Sequence, residues 1–525
     1  MKKILATLLA VSLLVSLAAC GGGSSSSSDS GGQKSSVADN VSESSSESST
    51  GGRWDALQAT EESFTLYADL HESQPTINTE RTEETPVVKV VGQQIADAWL
   101  EDKPNVTVEW TRNKVMGGHE GFIEWMTLQL NADTAPDFIF AWGATFADKG
   151  WYMDLNEVIQ SPNYYEPGNT CWKDMYPDYM WNDPMNVDAN GHVVAIPHSV
   201  YPGPPTVYFY NKTIFNEVGI EPTTDWHEFE KNMEKVREAG YFAMAMGNLG
   251  RGSWDEQFSL GPYYAWHNRD QWDVDGDGNM TVRESIRALY NGYFYIETNP
   301  AIWEMFVLQK DKYIANLDTQ GADAAQLWQD GQLAIKHDGI WGFPTENSNT
   351  GRAFDFGMMP PPVVQNSDYV DPVEFTESGP YQPQAMESFT IMKAEIQDRP
   401  SYKEDYSVDF LKYVHATENL SMLMEERQGN GIGATKTCAV PQILQDWISK
   451  SFPMKPNCSV PGASTTDGTA KINKLMEQWQ LDMIDDDTFQ AEYDRMLYED
   501  LKLYMEQQQV ETDDTWEEYV PASAK

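Results

Sequence analysis

Six residues from Asp273 to Glu284 carry oxygen atoms at the spacing that a hard cation requires. The segment reads DVDGDGNMTVRE and matches the pattern D-x-[DN]-x-[DN]-G-x5-E at every position. In this pattern one loop supplies the oxygens for Ca²⁺, and its glycine allows a sharp turn. The predicted ligands are Asp273, Asp275, Asp277, the backbone carbonyl of Asn279, Thr281 and Glu284. Calcium sensors pair such loops, so a lone loop at 273–284 predicts one structural Ca²⁺ site; the alternative is an acidic surface turn.

Alternating strands and helices must position any other site in the first part of the chain. The predicted elements are the strands Ser63–Ala68, Asn105–Trp110 and Pro136–Phe140 and the helices Val87–Leu100 and Gly121–Leu130. This order predicts parallel strands joined by helical crossovers, hence an α/β sheet. Ligands of open α/β sheets bind beyond the carboxyl ends of the strands. Asp69 and Trp142, which follow two of these strands, are therefore candidate site residues.

A second block of elements begins near Val193. Its predicted strands are Val193–Ile196, Thr206–Tyr210, Leu333–Lys336 and Phe354–Met358, and its predicted helices are Asp225–Ala239, Tyr406–Glu426, Ile472–Ile484 and Thr488–Gln509. Asp225 is placed to cap its helix together with Glu228, and Gly240 is placed to end it.

The first 52 residues predict export and anchoring rather than a folded core. Lys2 and Lys3 precede the apolar segment Ile4–Leu17, which is too short to span a membrane and typical of a secretory signal, so residues 1–19 are predicted to be removed. Cys20 follows small residues, as in a bacterial lipobox, and is the predicted lipidation site; the alternative is an ordinary signal peptide with an incidental cysteine. Residues 20–52 would then form the lipidated end and a flexible Ser/Gly tether.

The net charge argues against two classes of partner, nucleic acids and anionic lipid surfaces. The chain has 81 acidic and 36 basic residues, a net charge of −45, so it lacks the basic surface that nucleic acids or anionic lipids require. Three cysteines follow Cys20, namely Cys171, Cys438 and Cys458. A disulfide between Cys438 and Cys458 is compatible with an exported protein, and three free thiols are the alternative.

Several segments, in order, resemble the extracellular solute-binding proteins of bacterial ABC sugar importers, a maltose-binding-like family known as family 1. The matching segments are Asn131–Phe140, Lys149–Leu155, Gly191–Pro197, Tyr208–Lys212, Trp328–Ile335, Gly339–Trp341 and Phe356–Pro360. The resemblance implies an α/β, two-lobed, periplasmic-binding-protein-like (type II) fold with a hinge between the lobes. Lobe one is expected at 60–165 plus 388–440, and lobe two at 166–387 plus 441–525, with the calcium loop in lobe two.

The resemblance also implies that a solute binds between the lobes. Aromatic planes suit the apolar faces of sugars, and carboxylates suit their hydroxyl groups. Trp341 and, less closely, Trp142 are similar in position to stacking residues of the family, and the other candidates lie in segments with loop-like composition or at a helix start. The expected ligand-binding residues are Asp69, Glu120, Trp142, Tyr201, Trp254, Asp255 and Trp341.

Three functions remain open from the sequence. The first is a monomeric, lipid-anchored binding protein on the outer face of the bacterial cytoplasmic membrane, which performs no chemistry and delivers a carbohydrate, expected to be an oligosaccharide, to the transmembrane subunits of an ABC permease. The second is a secreted glycoside hydrolase, which needs two suitably spaced carboxylates. The third is a calcium-dependent surface interaction module. The resemblance favours the first.

Overall fold

Two β-sheets organise the described part of the chain. The structure is a computed structural model that describes residues 52–76, 88–111, 118–140, 149–246, 260–314, 317–320, 322–349, 351–362, 367–370, 383–449 and 458–525. The predictions for residues 1–19, for Cys20 and for the tether up to residue 51 lie outside these residues. Within them, no helix combines the length and apolar character needed to cross a membrane.

The first sheet has the strand order β11-β4-β10-β3-β1-β2. Its strands are β1 (Phe64–Ala68), β2 (Val106–Trp110), β3 (Phe138–Phe140), β4 (Ile196–Val200), β10 (Ala385–Ile391) and β11 (Ile432–Gly433). β1 is parallel to both β2 and β3, which confirms the predicted crossover topology. β10 is antiparallel to both of its neighbours, β3 and β4, so β4 runs in the direction of the parallel strands. The central strand β10 is buried along its whole length.

The second sheet has the strand order β7-β6-β8-β5-β9. Its strands are β5 (Thr206–Asn211), β6 (Phe242–Met246), β7 (Thr319–Gln320), β8 (Leu333–Gly339) and β9 (Phe356–Met359). Apolar side chains cover both faces, because Tyr208 and Ile335 lie in one hydrophobic cluster whereas Val207 and Phe209 lie in another. The two sheets together confirm the predicted mixed α/β fold class.

Sixteen α-helices among the described residues surround the sheets. They are α1 (Val91–Trp99), α2 (Gly118–Asn131), α3 (Asn156–Gln160), α4 (Lys212–Val218), α5 (Trp226–Glu238), α6 (Gly261–His267), α7 (Arg269–Trp272), α8 (Val282–Tyr290), α9 (Pro300–Leu308), α10 (Ala322–Gln329), α11 (Phe343–Ser348), α12 (Tyr402–Val414), α13 (Thr417–Glu426), α14 (Gln445–Ile448), α15 (Thr466–Gln480) and α16 (Asp486–Gln508). As predicted, Asp225 caps α5 by accepting a 2.8 Å hydrogen bond from the amide of Glu228.

The chain passes from the first sheet to the second later than the sequence indicates. β4 pairs with β10 and β11, and Trp172 and Trp181 pack in the core of the first sheet. The change of sheet therefore falls between Val200 and Thr206, not between residues 165 and 166, and the return is complete at Ala385 rather than 388. The predicted boundary was early because the hydrophobic pattern of a strand does not specify which sheet it joins.

The single long helix predicted over Tyr406–Glu426 is two helices, α12 and α13. Ala416 adopts an extended conformation between them, with ψ of 139°. The amide of Thr417 donates to the Glu166 carboxylate at 2.7 Å, so a residue far away in sequence caps the second helix. The periodicity of the segment shows no break, because the cap is supplied from outside it.

All three described cysteines are free. Cys458 is buried in a cluster with residues of the second sheet, and its thiol donates to the carbonyl of Pro262 at 3.5 Å. Cys438 packs at the core of the first sheet beside Ser421. The two thiols belong to different hydrophobic clusters, so the disulfide considered between them is not formed.

Candidate functional site

One edge of the first sheet collects the ends of several strands. β1 and β3 are parallel, and the last residue of β1, Ala68, pairs with the first residue of β3, Phe138. The end of β3 at Phe140 pairs with Phe389 of β10. Val200, at the end of β4, pairs with Ala385, at the start of β10. The first half of β10 therefore lies between the carboxyl ends of β3 and β4. The chain leaves for the second sheet from this same edge, directly after Val200.

The matching edge of the second sheet lies where the chain arrives. β5 starts at Thr206, which pairs with Gly339 at the end of β8. β6 runs parallel to β8 and ends at Met246. The connection from Val200 to Thr206 is short, so the carboxyl-end edges of the two sheets lie next to each other. This is the position in which open α/β sheets bind ligands.

Tyr201 and Trp341 bring the two edges into contact. Tyr201 directly follows β4, Trp341 lies two residues after β8, and their ring centroids are 6.1 Å apart. Both side chains are half-buried, and the indole of Trp341 lies over Gly339. Burial, with the negative charges of Glu387 and Asp183, raises the pKa of Tyr201 well above its usual range. Tyr201 is thus a neutral phenol that can donate a hydrogen bond next to an aromatic surface.

Asp69 lies at the same edge but faces inward. It is 1 % exposed, and its Oδ1 accepts a 2.7 Å hydrogen bond from the amide of His71. This bond shapes the turn that follows β1. The carboxylate therefore positions the backbone at the edge of the sheet.

The remaining predicted ligand-binding residues are not placed by the structure. Trp142, Trp254 and Asp255 lie outside the described residues. Glu120 lies in the first turn of α2, and its side chain is outside the described part. Of the seven candidates, the structure places Tyr201 and Trp341 in contact, and Asp69 follows β1 at the same edge of the first sheet.

Residues that the sequence analysis missed complete this edge. Glu387 of β10 is 1 % exposed and accepts hydrogen bonds from Nδ1 of His71 at 2.6 Å and from Oγ of Ser199 at 2.8 Å. Arg427 forms an ion pair with the same carboxylate. The sequence did offer one signal for Glu387, because a glutamate in the middle of the otherwise uncharged strand AMESFTI indicates a buried carboxylate that needs partners. No local pattern marks His71 or Arg427.

Two further histidines lie behind this group. Nε2 of His198 forms a 3.0 Å hydrogen bond with Oγ of Ser73, and Nδ1 of His198 is 3.2 Å from Nε2 of His415. Both rings are fully buried, and burial lowers the pKa of His198 well below its usual range and that of His415 to about 4. They are therefore neutral at physiological pH and belong to the supporting interior.

The predicted calcium loop is a separate site in the second block of the chain. Carboxylate oxygens of Asp273, Asp275 and Asp277 lie within 4.8 Å of one another. Each of these side chains also accepts a backbone hydrogen bond inside the loop, for example from Gly276 to Asp273 at 2.9 Å. Three like charges this close repel one another, and a cation between them would remove that repulsion. The donor set fits a hard divalent cation.

Glu284 closes the loop at its helical end. It is 7 % exposed, and its Oε2 accepts from the amide and the hydroxyl of Thr281 at 3.0 and 2.8 Å, completing a capping box on α8. Its Oε1 accepts from the amide of Val274 at 2.9 Å. Glu284 therefore connects the start of the loop to the helix that follows it.

The fold defines a class: a two-lobed α/β protein of the periplasmic-binding-protein type. The profile of the family "Bacterial extracellular solute-binding protein" matches residues 90–394, more than half of the chain. The chain belongs to this family, which confirms the resemblance seen in the sequence.

Solved structures show the same fold at low sequence identity. A chitin oligosaccharide binding protein aligns with a TM-score of 0.57 and 12 % identity, covering 84 % of this chain and 99 % of its own. A family 1 extracellular solute-binding protein from Bifidobacterium longum subsp. infantis aligns with a TM-score of 0.51 and 13 % identity, covering 83 % and 100 %. RafE in complex with raffinose aligns with a TM-score of 0.52 and 14 % identity, covering 84 % and 100 %. A search of curated proteins by sequence finds no match.

Proposed function

We propose that this protein is a lipid-anchored extracellular substrate-binding protein of an ABC importer. It binds a carbohydrate between its two lobes and delivers it to the permease, without chemistry of its own. The observation that carries the proposal is the Tyr201–Trp341 pair, which places an aromatic surface and a phenol where the edges of the two sheets meet. Closure of two lobes on a ligand is a hinge motion that the ligand stabilises by binding the closed state better.

The carbohydrate assignment rests on the chemistry of this edge. Aromatic faces pack against the C–H faces of sugars, and buried polar groups bond their hydroxyls. The similar structures named above include a chitin oligosaccharide binding protein and a complex with raffinose, and family membership adds a solute-binding role. An oligosaccharide is the proposed ligand.

The amino-terminal sequence supports the proposed location of the protein. Cys20 after a short apolar signal supports lipidation and anchoring to the outer face of the bacterial cytoplasmic membrane. The Ser/Gly-rich segment would let the folded part reach the permease. The proposed partners are the carbohydrate, the permease subunits and the membrane, and the protein is proposed to act as a monomer.

We further propose that the loop 273–284 binds one structural Ca²⁺. The clustered carboxylates of Asp273, Asp275 and Asp277 and the full match of the loop to the calcium pattern support this proposal. The ligands would be those three carboxylates, the carbonyl of Asn279, Thr281 and Glu284. The ion would relieve the repulsion among the carboxylates and stiffen the entry to α8.

A thermal-shift screen tests the transport proposal. The chain carrying Cys20→Ser is mixed, in millimolar Ca²⁺, with chitotriose, raffinose, xylotriose, maltotriose and galactose, and each mixture is then analysed for products. A bound sugar raises Tm by mass action. A rise with intact sugar supports the proposal. A rise with cleaved sugar supports the hydrolase, and no rise with any carbohydrate in a wider panel contradicts carbohydrate binding.

A further inference from the structure

A buried carboxylate organises the polar side of the cleft edge. Glu387 lies in β10 and is 1 % exposed. Its Oε1 accepts from Nδ1 of His71 at 2.6 Å, and its Oε2 accepts from Ser199 at 2.8 Å and from Nη1 of Arg427. Three donors from three parts of the chain thus converge on one carboxyl group, so its position is fixed.

The charge of this carboxylate fixes the protonation pattern of His71. Burial disfavours the charged form of Glu387, but the Arg427 guanidinium and the His71 ring hold its pKa well below the usual range. Glu387 is therefore an acceptor and carries no proton. Nδ1 of His71 must then hold a hydrogen and donate it, and Nε2 is the nitrogen that remains for another partner.

The ring of His71 is placed at the cleft and not in the core. Its side chain is 31 % exposed, and it rests on Phe140 with ring centroids 4.2 Å apart. Nε2 makes no hydrogen bond to any residue in the described ranges. The backbone of His71 has a φ of 45°, a conformation that non-glycine residues adopt rarely and that is frequent at ligand-binding positions.

Other polar atoms at this edge also lack partners. Nε and Nη2 of Arg427 and Oδ1 of Asn430 are buried and make no hydrogen bond within the described part of the chain. Arg427 is 2 % exposed and Asn430 is 5 % exposed. Buried polar groups of native proteins are nearly always hydrogen-bonded. These groups lie directly behind the Glu387 carboxylate, so the polar cluster that holds His71 continues into the interior.

We propose that His71 is a ligand-contacting residue of the cleft, held in place by Glu387 and Arg427, and that its Nε2 hydrogen-bonds a hydroxyl group of an uncharged sugar. This inference rests on the proposed function and specifies the substrate class. Glu387 and Arg427 are positioning residues, because they act through His71.

The charges around His71 favour an uncharged sugar over an acidic one. Glu387 is matched by Arg427, and Glu72 is matched by Lys89 at 2.8 Å. Asp69, whose Oδ1 bonds the amide of His71, adds a further negative charge. A uronate brought to this edge would meet like charge without an additional cation, whereas a hydroxyl group can either donate to or accept from Nε2.

Calorimetry on matched variants tests this contact. The probe is whichever sugar of the screening panel raises Tm most, and trigalacturonate is the acidic comparison. His71→Asn removes the ring and keeps a side chain that tolerates positive φ. His192→Asn is the control, because Nδ1 of His192 is 3.0 Å from the carboxylate of Asp188, another histidine–acid pair. We expect His71→Asn to weaken binding about tenfold, His192→Asn to leave it unchanged and trigalacturonate not to bind.

The outcomes separate this inference from the transport proposal. If no carbohydrate raises Tm of the parent, the proposed function fails and the inference falls with it. If a sugar binds the parent and His71→Asn equally well, the contact is overturned while carbohydrate binding stands. Binding of trigalacturonate in preference to neutral sugars would overturn the substrate class.

A spectroscopic measurement tests the positioning role independently of affinity. Ring ¹⁵N NMR of the parent, at a pH where His71 is neutral, should show the Nδ1–H tautomer, and addition of the sugar should shift the Nε2 resonance. Glu387→Gln should change the tautomer balance. If that variant does not fold, Ser199→Ala replaces it; it removes one hydrogen bond donated to Glu387, leaves the carboxylate a stronger acceptor and should raise the pKa of His71. An Nε2–H tautomer in the parent would overturn the proposed arrangement.

Discussion

Trp341, predicted from the sequence, lies where the edges of the two sheets meet. It lies just after β8, and its ring is 6.1 Å from that of Tyr201, which follows a strand of the other sheet. A ring at this position is half-exposed in the described structure and is available to pack against a ligand. The aromatic surface and the polar group around Glu387 are joined by Tyr201, since the charge of Glu387 contributes to the raised pKa of that phenol.

We expect Trp341→Ala to weaken sugar binding about tenfold, which corresponds to ~1.4 kcal/mol. The loss follows from removal of the apolar face against which the sugar packs. Titration calorimetry measures it, and Trp516→Ala is the control because Trp516 packs on Tyr290, away from the cleft. Unchanged affinity in Trp341→Ala would contradict the placement of the ligand.

His71 makes stability depend on pH with a defined sign. Burial lowers its pKa, but the hydrogen bond and charge of Glu387, with the charges of Glu72 and Asp69, raise it above the ordinary 6.5 overall. The other groups near His71 are His198, which is neutral, and two cations: Arg427, paired with Glu387, and Lys89, paired with Glu72. Protonated His71 therefore stabilises the fold fully below pH ~6.5, and this contribution is lost as pH rises through the raised folded-state value.

We accordingly expect the stability difference between the parent and His71→Asn to be larger at mildly acidic than at alkaline pH. The free energy of unfolding in denaturant, measured on both proteins across this range, checks the prediction. A difference that grows with increasing pH would show that His71 is stabilised as the neutral form.

At the scale of elements, the calcium loop is held between several parts of the chain. Glu284 caps α8, and Asn182, from the segment before β4, donates to Asp277 at 3.1 Å. The carboxyl-terminal segment packs on the far side of α8, where the amide of Tyr519 donates to the carbonyl of Tyr290 at 2.9 Å. A change in the loop is therefore expected to alter stability around α8 and at the contact with Asn182, and not the shape of the proposed sugar site.

We expect Asp275→Ala combined with Asp277→Ala to lower Tm in calcium while ligand specificity is retained. The parent gains stability from the ion by mass action and the variant does not. With a chelator present, the Tm of the variant should equal or exceed that of the parent, because the variant has less repulsion among its carboxylates. Thermal unfolding with and without millimolar Ca²⁺ measures this effect.

Glu109→Ala combined with Asp514→Ala removes the same number of charges from exposed positions and is the control for the loop variant. It should respond to calcium as the parent does. Equal melting of the loop variant and the parent in millimolar Ca²⁺ would contradict the structural role of the site.

At the scale of the whole molecule, helices and loops packed around the two sheets contact each other at points besides the cleft. Phe343 of α11, which follows β8, lies against Gly429, which follows α13. Asn190, before β4, donates to the carbonyl of Gln508 at the end of α16 at 2.9 Å. These contacts fix how the blocks meet, so a change in one of them acts on the whole fold.

We expect Gly429→Ala to destabilise the protein by ~1–3 kcal/mol. Gly429 has a φ of +96°, and a Cβ atom there would lie 2.7 Å from the ring of Phe343. Gly462→Ala is the control, because its Cβ would meet nothing within 4 Å. Denaturant unfolding measures both variants, and equal stability of the two would contradict the tight packing at Gly429.

Local sterics and hydrophobic periodicity act over a few residues, and for this reason most elements could be predicted from the chain. The parallel strands β1 to β3, the capped helix α5 and the spacing of the calcium loop all follow from neighbouring residues. Together with ordered family segments, they were sufficient for the fold class and the family.

Pairings between residues distant in sequence depend on how the chain packs, and no local pattern encodes them. The sheet that β4 joins, the break between α12 and α13 and the free state of Cys438 and Cys458 are of this kind. The largest example is the polar group at the cleft, in which His71 and Glu387 are 316 positions apart. Their hydrogen bond exists because β10 is inserted beside β3, which places the end of β1 next to a buried carboxylate.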